Sequence, residues 1–188
     1  MIWNADTLNP FLACSLLALF SGYLWDMVAA NLFTKPPPKT AHIHMAVTAV
    51  FLCLYGFTPV ALRCILLCSL LIIVGVYDVM TYEIPDCLHI LIAIVGLVGF
   101  QPLPALLGFV LIPLPFLIAA VKTDKIGGGD IKLMAASGFA LGVTSGVWMM
   151  IWGLLIALLW QGAFRRGKPN FPLAPFLAFG GFLVQFPI

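Results

Sequence analysis

Residues 60–82 read VALRCILLCSLLIIVGVYDVMTY, an apolar run with one arginine near its start and one aspartate, Asp78, about a turn before its end. A helix needs roughly 17–25 residues at about 1.5 Å each to cross the hydrocarbon core of a bilayer, so this run is long enough to span. The flanking sequence repeats the pattern. Eight apolar segments, approximately 10–33, 41–57, 60–82, 87–100, 104–121, 129–141, 143–164 and 171–186, alternate with short polar or Pro/Gly-rich breaks. The fourth and sixth are short, which suits kinked, re-entrant or loop-extended helices. The chain is therefore expected to be all-α: a polytopic membrane helix bundle of about eight transmembrane helices, forming a single integral membrane domain over residues 1–188.

Composition points the same way. Of the 188 residues, 63% are hydrophobic and 9% charged, whereas a soluble domain carries about 25% charged residues. That excludes an ordinary cytosolic globule, and disorder is excluded because it needs low hydrophobicity and high charge. A net charge of +2 is too slight to argue for nucleic acid; the partner that the apolar composition implies is the lipid bilayer. The five cysteines form no CxxC pair and no zinc spacing, so Cys64 and Cys68, four apart, read as small apolar packing residues. The N-terminal MIWNAD lacks the basic region of a signal peptide, and the apolar stretch after it is expected to be a retained first span.

Charge placement orients the segments. With the N-terminus outside, Lys35 and Lys39, then Lys122 and Lys125, then Arg165, Arg166 and Lys168 fall in inside loops, with Lys132 just past one of them. Of the nine Lys and Arg residues only Arg63 falls at an outer end. This positive-inside bias predicts eight spans with both termini extracytoplasmic.

The acids gather on the same inner side. Asp78, Glu83 and Asp86 lie at or after the end of the third segment, and Asp124 and Asp130 precede the sixth; only Asp6 and Asp26 stand elsewhere. Asp78 is still inside an apolar run, and Asp130 closes a triple glycine, IGGGDIKL, ahead of an apolar helix. An ionisable group at that depth is costly and is a functional candidate by default. Two carboxylates brought together can do acid–base chemistry on a peptide bond, one taking a proton from water while the other donates. Their closeness supplies the asymmetry, because two like charges a few ångströms apart do not both ionise. Glycines without Cβ let an extended backbone approach such a pair closely. Plain structural roles suit the same residues: Asp78 pairing with Lys132 or capping a helix, and GGGD as a loop before an N-capping Asp.

Two motifs carry a family resemblance. Asp78-Val-Met-Thr-Tyr-Glu-Ile-Pro85-Asp86 resembles the first aspartate motif of the type IV prepilin peptidases, and Gly127-Gly128-Gly129-Asp130-Ile-Lys132-Leu133 their GxGD motif with its following Lys-Leu pair. Pro172-Leu-Ala-Pro175-Phe176-Leu-Ala-Phe-Gly180 is similar to the family's closing segment, so the likeness extends over about residues 70–182. The resemblance implies an intramembrane aspartic endopeptidase of the bacterial inner membrane. Such enzymes remove basic leader peptides from type IV prepilins or pseudopilins at the cytoplasmic face, cutting after a Gly. Asp78 and Asp130 match the two catalytic positions. Gly127, Gly128, Gly129, Glu83, Pro85, Asp86 and Lys132 are the implied substrate-binding set, with no metal and no cofactor. Bifunctional members also N-methylate the product and carry a cytoplasmic domain with paired CxxC motifs. Here only the short loop at residues 34–40 stands in that place, without cysteine, which counts against a zinc site and against methyl transfer.

Other readings attach to the remaining polar residues. His42 and His44 read as interfacial packing rather than a metal pair, because alternate residues point to different sides of a helix. Asp26 suits either the lining of a substrate cleft or, the favoured reading, a hydrogen bond that locks the first helix. A small proton- or cation-coupled transporter subunit would place acids near the bilayer midplane and show discontinuous helices in both halves of the sequence. A non-catalytic secretion-assembly subunit would need neither aspartate.

Overall fold

The structure, a computed structural model, describes residues 5–32, 38–123, 127–164 and 171–186. The charges at Lys35, Asp124, Lys125, Arg165, Arg166 and Lys168 lie outside the described residues. Every regular element among the described residues is helical: α1 (Ala5–Leu32), α2 (Ala41–Tyr55), α3 (Pro59–Thr81), α4 (Asp86–Gly96), α5 (Pro102–Leu111), α6 (Leu114–Thr123), α7 (Gly128–Phe164) and α8 (Ala174–Leu183). Helix is what a chain this apolar requires, since in lipid each backbone N–H and C=O has to be paired within its own segment or in a closed barrel. The chain divides into two compact units, Met1–Ile65 and Leu66–Ile188, with the division inside α3.

In the first unit α1 packs on α2. Gly22 permits the contact: a Cβ there would lie 2.7 Å from the Ala41 carbonyl oxygen. The Ser21 and Thr48 hydroxyls meet at 2.7 Å, and the Trp25 and His44 rings stack with centroids 5.6 Å apart. Asp26 makes the hydrogen bonds expected of a lock. Its Oδ1 accepts the Thr40 backbone N–H at 2.9 Å and the Thr40 hydroxyl at 3.2 Å, which satisfies an otherwise orphaned donor at the start of α2.

The second unit holds the rest of α3 and α4 to α8, with α7 packed against α4, α5 and α8. Helix α3 starts with the Thr58 hydroxyl accepting the Ala61 N–H at 3.2 Å and Pro59 at its first position, a favourable N-cap followed by a residue that lacks the redundant donor. Its buried stripe runs Leu67, Leu71, Val74 and ends at Asp78, the i, i+4, i+7, i+11 spacing of one helix face. The α5 and α6 pieces meet at Pro113, whose ring cannot continue the ladder of hydrogen bonds.

Helix α7 is two limbs rather than one rod. At Gly142 the backbone adopts φ 76°, ψ −178°, a left-handed conformation that a Cβ would resist. A Cβ on Gly146 would lie 3.6 Å from the Gly138 Cα, whereas eight residues along a straight helix are about 12 Å apart. The chain has folded back on itself, so the limbs at 128–141 and 143–164 follow the sixth and seventh apolar segments of the sequence.

Among the described residues, four helical stretches have the length and apolarity to cross a membrane: Ala13–Asn31, Pro59–Thr81, Pro102–Thr123 and Gly128–Ala163. The last comprises both limbs of α7, of which only the limb at 143–164 has the length of a full span by itself. Against the eight crossings expected from the sequence, α2, α4 and α8 have only 15, 11 and 10 residues, short of the roughly 17–25 of a full span. Their apolar segments continue into non-helical turns and caps, which the sequence pattern did not separate from helix.

Candidate active site

Two buried stripes converge on one cavity. The stripe of α3 ends at Asp78, which is 7% exposed. The first limb of α7 buries Leu133, Met134, Ser137 and Ala140, and Asp130, three residues before Leu133, begins that face. Both aspartates line a cavity of about 330 Å³, together with Tyr82, Glu83, Ile84, Asp86, Gly127, Gly128, Gly129 and Lys132. They are near enough for the charge of Asp78 to act on Asp130. The cavity lies wholly within the second unit.

Each acid is held from its own side. The Asp78 Oδ2 accepts the Ala174 backbone N–H at 2.9 Å, with the Leu173 N–H also directed at the carboxylate. These are the free donors at the start of α8 (Ala174–Leu183), where four N–H groups have no partner within the helix. The helix-capping alternative for Asp78 is thereby realised: it caps α8 from across the fold and still faces the cavity. The alternative pairing with Lys132 is not found, because Lys132 Nζ bonds the Asp86 Oδ1 at 2.7 Å. Asp130 does not N-cap its helix; its N–H donates to the Gly127 carbonyl at 3.2 Å in the first turn of α7.

The segment between the acids is shaped by local chemistry. Helix α3 ends as the Tyr82 N–H donates to the Asp78 carbonyl at 2.9 Å. Tyr82 itself sits at φ 56°, an uncommon conformation for a bulky residue. The Glu83 N–H then bonds the Thr81 hydroxyl at 3.3 Å, and extended Pro85 at φ −62°, ψ 138° precedes α4. Asp86 in the first turn of α4 is exposed, and the hydrogen bond and charge of Lys132 hold its carboxyl below the usual carboxylate range. The two side chains of this pair are 58% and 70% exposed.

Of the residues singled out from the sequence, Asp78, Asp130, Gly127, Gly128, Gly129, Glu83, Asp86 and Lys132 all line the cavity. Pro85 does not; it caps α4. Tyr82 and Ile84 line the cavity and were not foreseen, although both lie inside the quoted first motif. His89 was missed altogether. Its Nε2 lies 3.1 Å from the Gly129 carbonyl oxygen, and the available signal was its place three residues after Asp86, on the same helix face.

The sequence profile of the type IV leader peptidase family matches residues 65–163, just over half of the chain and the stretch that carries both aspartates. The chain belongs to the type IV leader peptidase family. It is therefore a membrane protein of a protease family, aspartic in type. No curated protein and no solved structure matches the chain. The leader peptidase profile ends before α8, so the tie between α8 and Asp78 belongs to the geometry of this chain.

Proposed function

We propose that the chain is an intramembrane aspartic endopeptidase that removes basic leader peptides from type IV prepilins or pseudopilins at the cytoplasmic face of a bacterial inner membrane. The observation that carries this reading is the convergence of two acids, from two helices far apart in sequence, on one glycine-lined cavity. The substrate's scissile peptide lies extended in that cavity. One carboxylate of the pair takes a proton from water as the water oxygen adds to the scissile carbonyl carbon. The other gives its proton to the carbonyl oxygen, forming a gem-diol. Collapse of the gem-diol breaks the C–N bond: one gem-diol hydroxyl returns its proton to the carboxylate that had given one, and the proton gained from water passes to the leaving amine. The pair carries one shared proton at the start and again at the end, so its apparent pKa values belong to the dyad and not to either residue.

Glu83 and Asp86 sit at the cavity, where acids attract a basic leader. Asp86 already shares its charge with Lys132, which leaves Glu83 the better placed of the two. Water and two carboxylates balance this reaction, and neither zinc nor methyl transfer enters it. The cleavage machinery falls within residues 70–182. The topology that goes with it has eight crossings, with the shorter helices completing theirs through their caps, both termini outside and the acids at the inner face.

Purified protein incubated with a peptide carrying a basic leader, a Gly and an apolar helix tests the reading. Wild type should release the leader, and Asp78→Asn and Asp130→Asn should each abolish release while remaining folded, since an amide keeps shape and polarity but cannot share the proton. Substantial turnover by either single variant would overturn the dyad.

A further inference from the structure

We propose that His89 is a positioning residue for cleavage: its imidazole N–H, buried on α4, holds the Gly129 carbonyl and with it the peptide plane that carries Asp130. The inference rests on the protease reading above and extends it to a residue outside the cavity lining.

A backbone carbonyl can only accept, so the 3.1 Å contact between His89 Nε2 and the Gly129 oxygen places the proton on Nε2. The other ring nitrogen, Nδ1, is buried without a hydrogen-bond partner and lies 3.7 Å from the Asp86 Oδ1. The whole residue is 7% exposed. The Gly129 carbonyl and the Asp130 N–H belong to one planar peptide unit. That unit is gripped at both ends, its oxygen by His89 and its N–H by the Gly127 carbonyl at 3.2 Å. Holding the plane sets the direction in which the Asp130 Cα presents its carboxyl.

Among the described residues near the start of α7, few other contacts hold this peptide plane. A Cβ on Gly128 would meet nothing within 4 Å, and Gly127 is exposed, so these glycines bring backbone freedom without packing. The second tie between α4 and α7, Lys132 to Asp86, is exposed on both sides and is the weaker kind of contact. The imidazole bond is buried, so solvent and salt loosen it less than they do the exposed pair.

Three substitutions separate positioning from bulk. Gln places an amide N–H near the position of Nε2, Asn ends near Nδ1, and Leu fills volume without a donor. With the leader-peptide substrate, His89→Leu and His89→Asn should lower kcat on the order of tenfold with KM within about twofold, and His89→Gln should restore most of the rate. Hydrogen exchange of the segment at residues 127–131, followed by mass spectrometry in detergent, should quicken in the Leu and Asn variants and return towards wild type in the Gln variant. Equal rates for His89→Asn and His89→Gln, or wild-type kcat in His89→Leu, overturn the positioning role while leaving the protease reading in place. If His89→Leu fails to fold, the Asn–Gln comparison still decides. If wild type releases no leader, the protease reading fails, and unchanged exchange in the Asn variant then removes the latch as well.

Discussion

Gly129 offers the sharpest local test of how the glycine run supports Asp130. A Cβ built there lies 3.5 Å from the Ile84 Cβ and 3.6 Å from its Cδ1 and Cγ1, whereas one on Gly128 meets nothing within 4 Å. Gly129→Ala therefore makes an ordinary van der Waals contact and should cost little. Gly129→Val adds two methyl groups about 1.5 Å further out, towards a neighbour already in contact. A β-branched residue in a helical turn has one strongly preferred rotamer, so it cannot swing both methyls clear. Overpacking of this kind costs about 1–3 kcal/mol, and a backbone shift that also breaks the His89 bond adds about 1 kcal/mol. A displaced Asp130 should then lower kcat by ten- to a hundredfold, on the order expected for small misplacements of catalytic groups. Gly128→Ala should stay within about 0.5 kcal/mol of wild type in stability and near wild type in rate. Initial rates of leader release and thermal melts in detergent measure both quantities. Equal rates for Gly129→Val and Gly128→Ala would refute the reasoning. If Gly129→Ala were as damaging as Gly129→Val, the obstruction would be to the approaching substrate strand and not to Ile84.

Two further outcomes check the orientation of the chain and the surface pair. In a cysteine-free background on intact cells, Gln101→Cys should react with a membrane-impermeant thiol reagent and Lys122→Cys should not; the reverse pattern would put the acids on the wrong face for a cytoplasmic leader. Lys132 lowers the pKa of Asp86 in the folded chain, so the stability contributed by that pair is fully present above the ordinary Asp value of about 4 and is lost as pH falls through the lower folded value. The melting temperatures of wild type and Asp86→Asn should accordingly differ by a constant, salt-sensitive amount above about pH 5 and converge below about pH 4. A difference that grew as pH rose above neutrality would contradict the assignment.

The apolar runs by themselves determined that the chain is helical and built for a membrane, because hydrophobic length alone decides whether a segment can remain in lipid. Asp78, about a turn before the end of its apolar run, and Asp130, closing a glycine run ahead of an apolar helix, stood out as candidates for the same reason: an ionisable group at that depth is costly. Helix lengths were less legible, since α2, α4 and α8 stop at caps and turns that are as apolar as the helices themselves. The fold-back at Gly142 coincided with a boundary between apolar segments, but its sharpness depends on a left-handed backbone and on the approach of Gly146 to Gly138. Only the tertiary structure decided the partners at the cavity. Lys132 was free in sequence terms to pair with Asp78 or Asp86, and packing of α4 against α7 chose Asp86. The start of α8 meets Asp78 across 96 residues, and His89 meets Gly129 across 40. Hydrophobic periodicity records which face of each helix turns inward, but which polar atoms on those faces come within a hydrogen bond depends on how separate helices pack, and that is a property of the assembled fold.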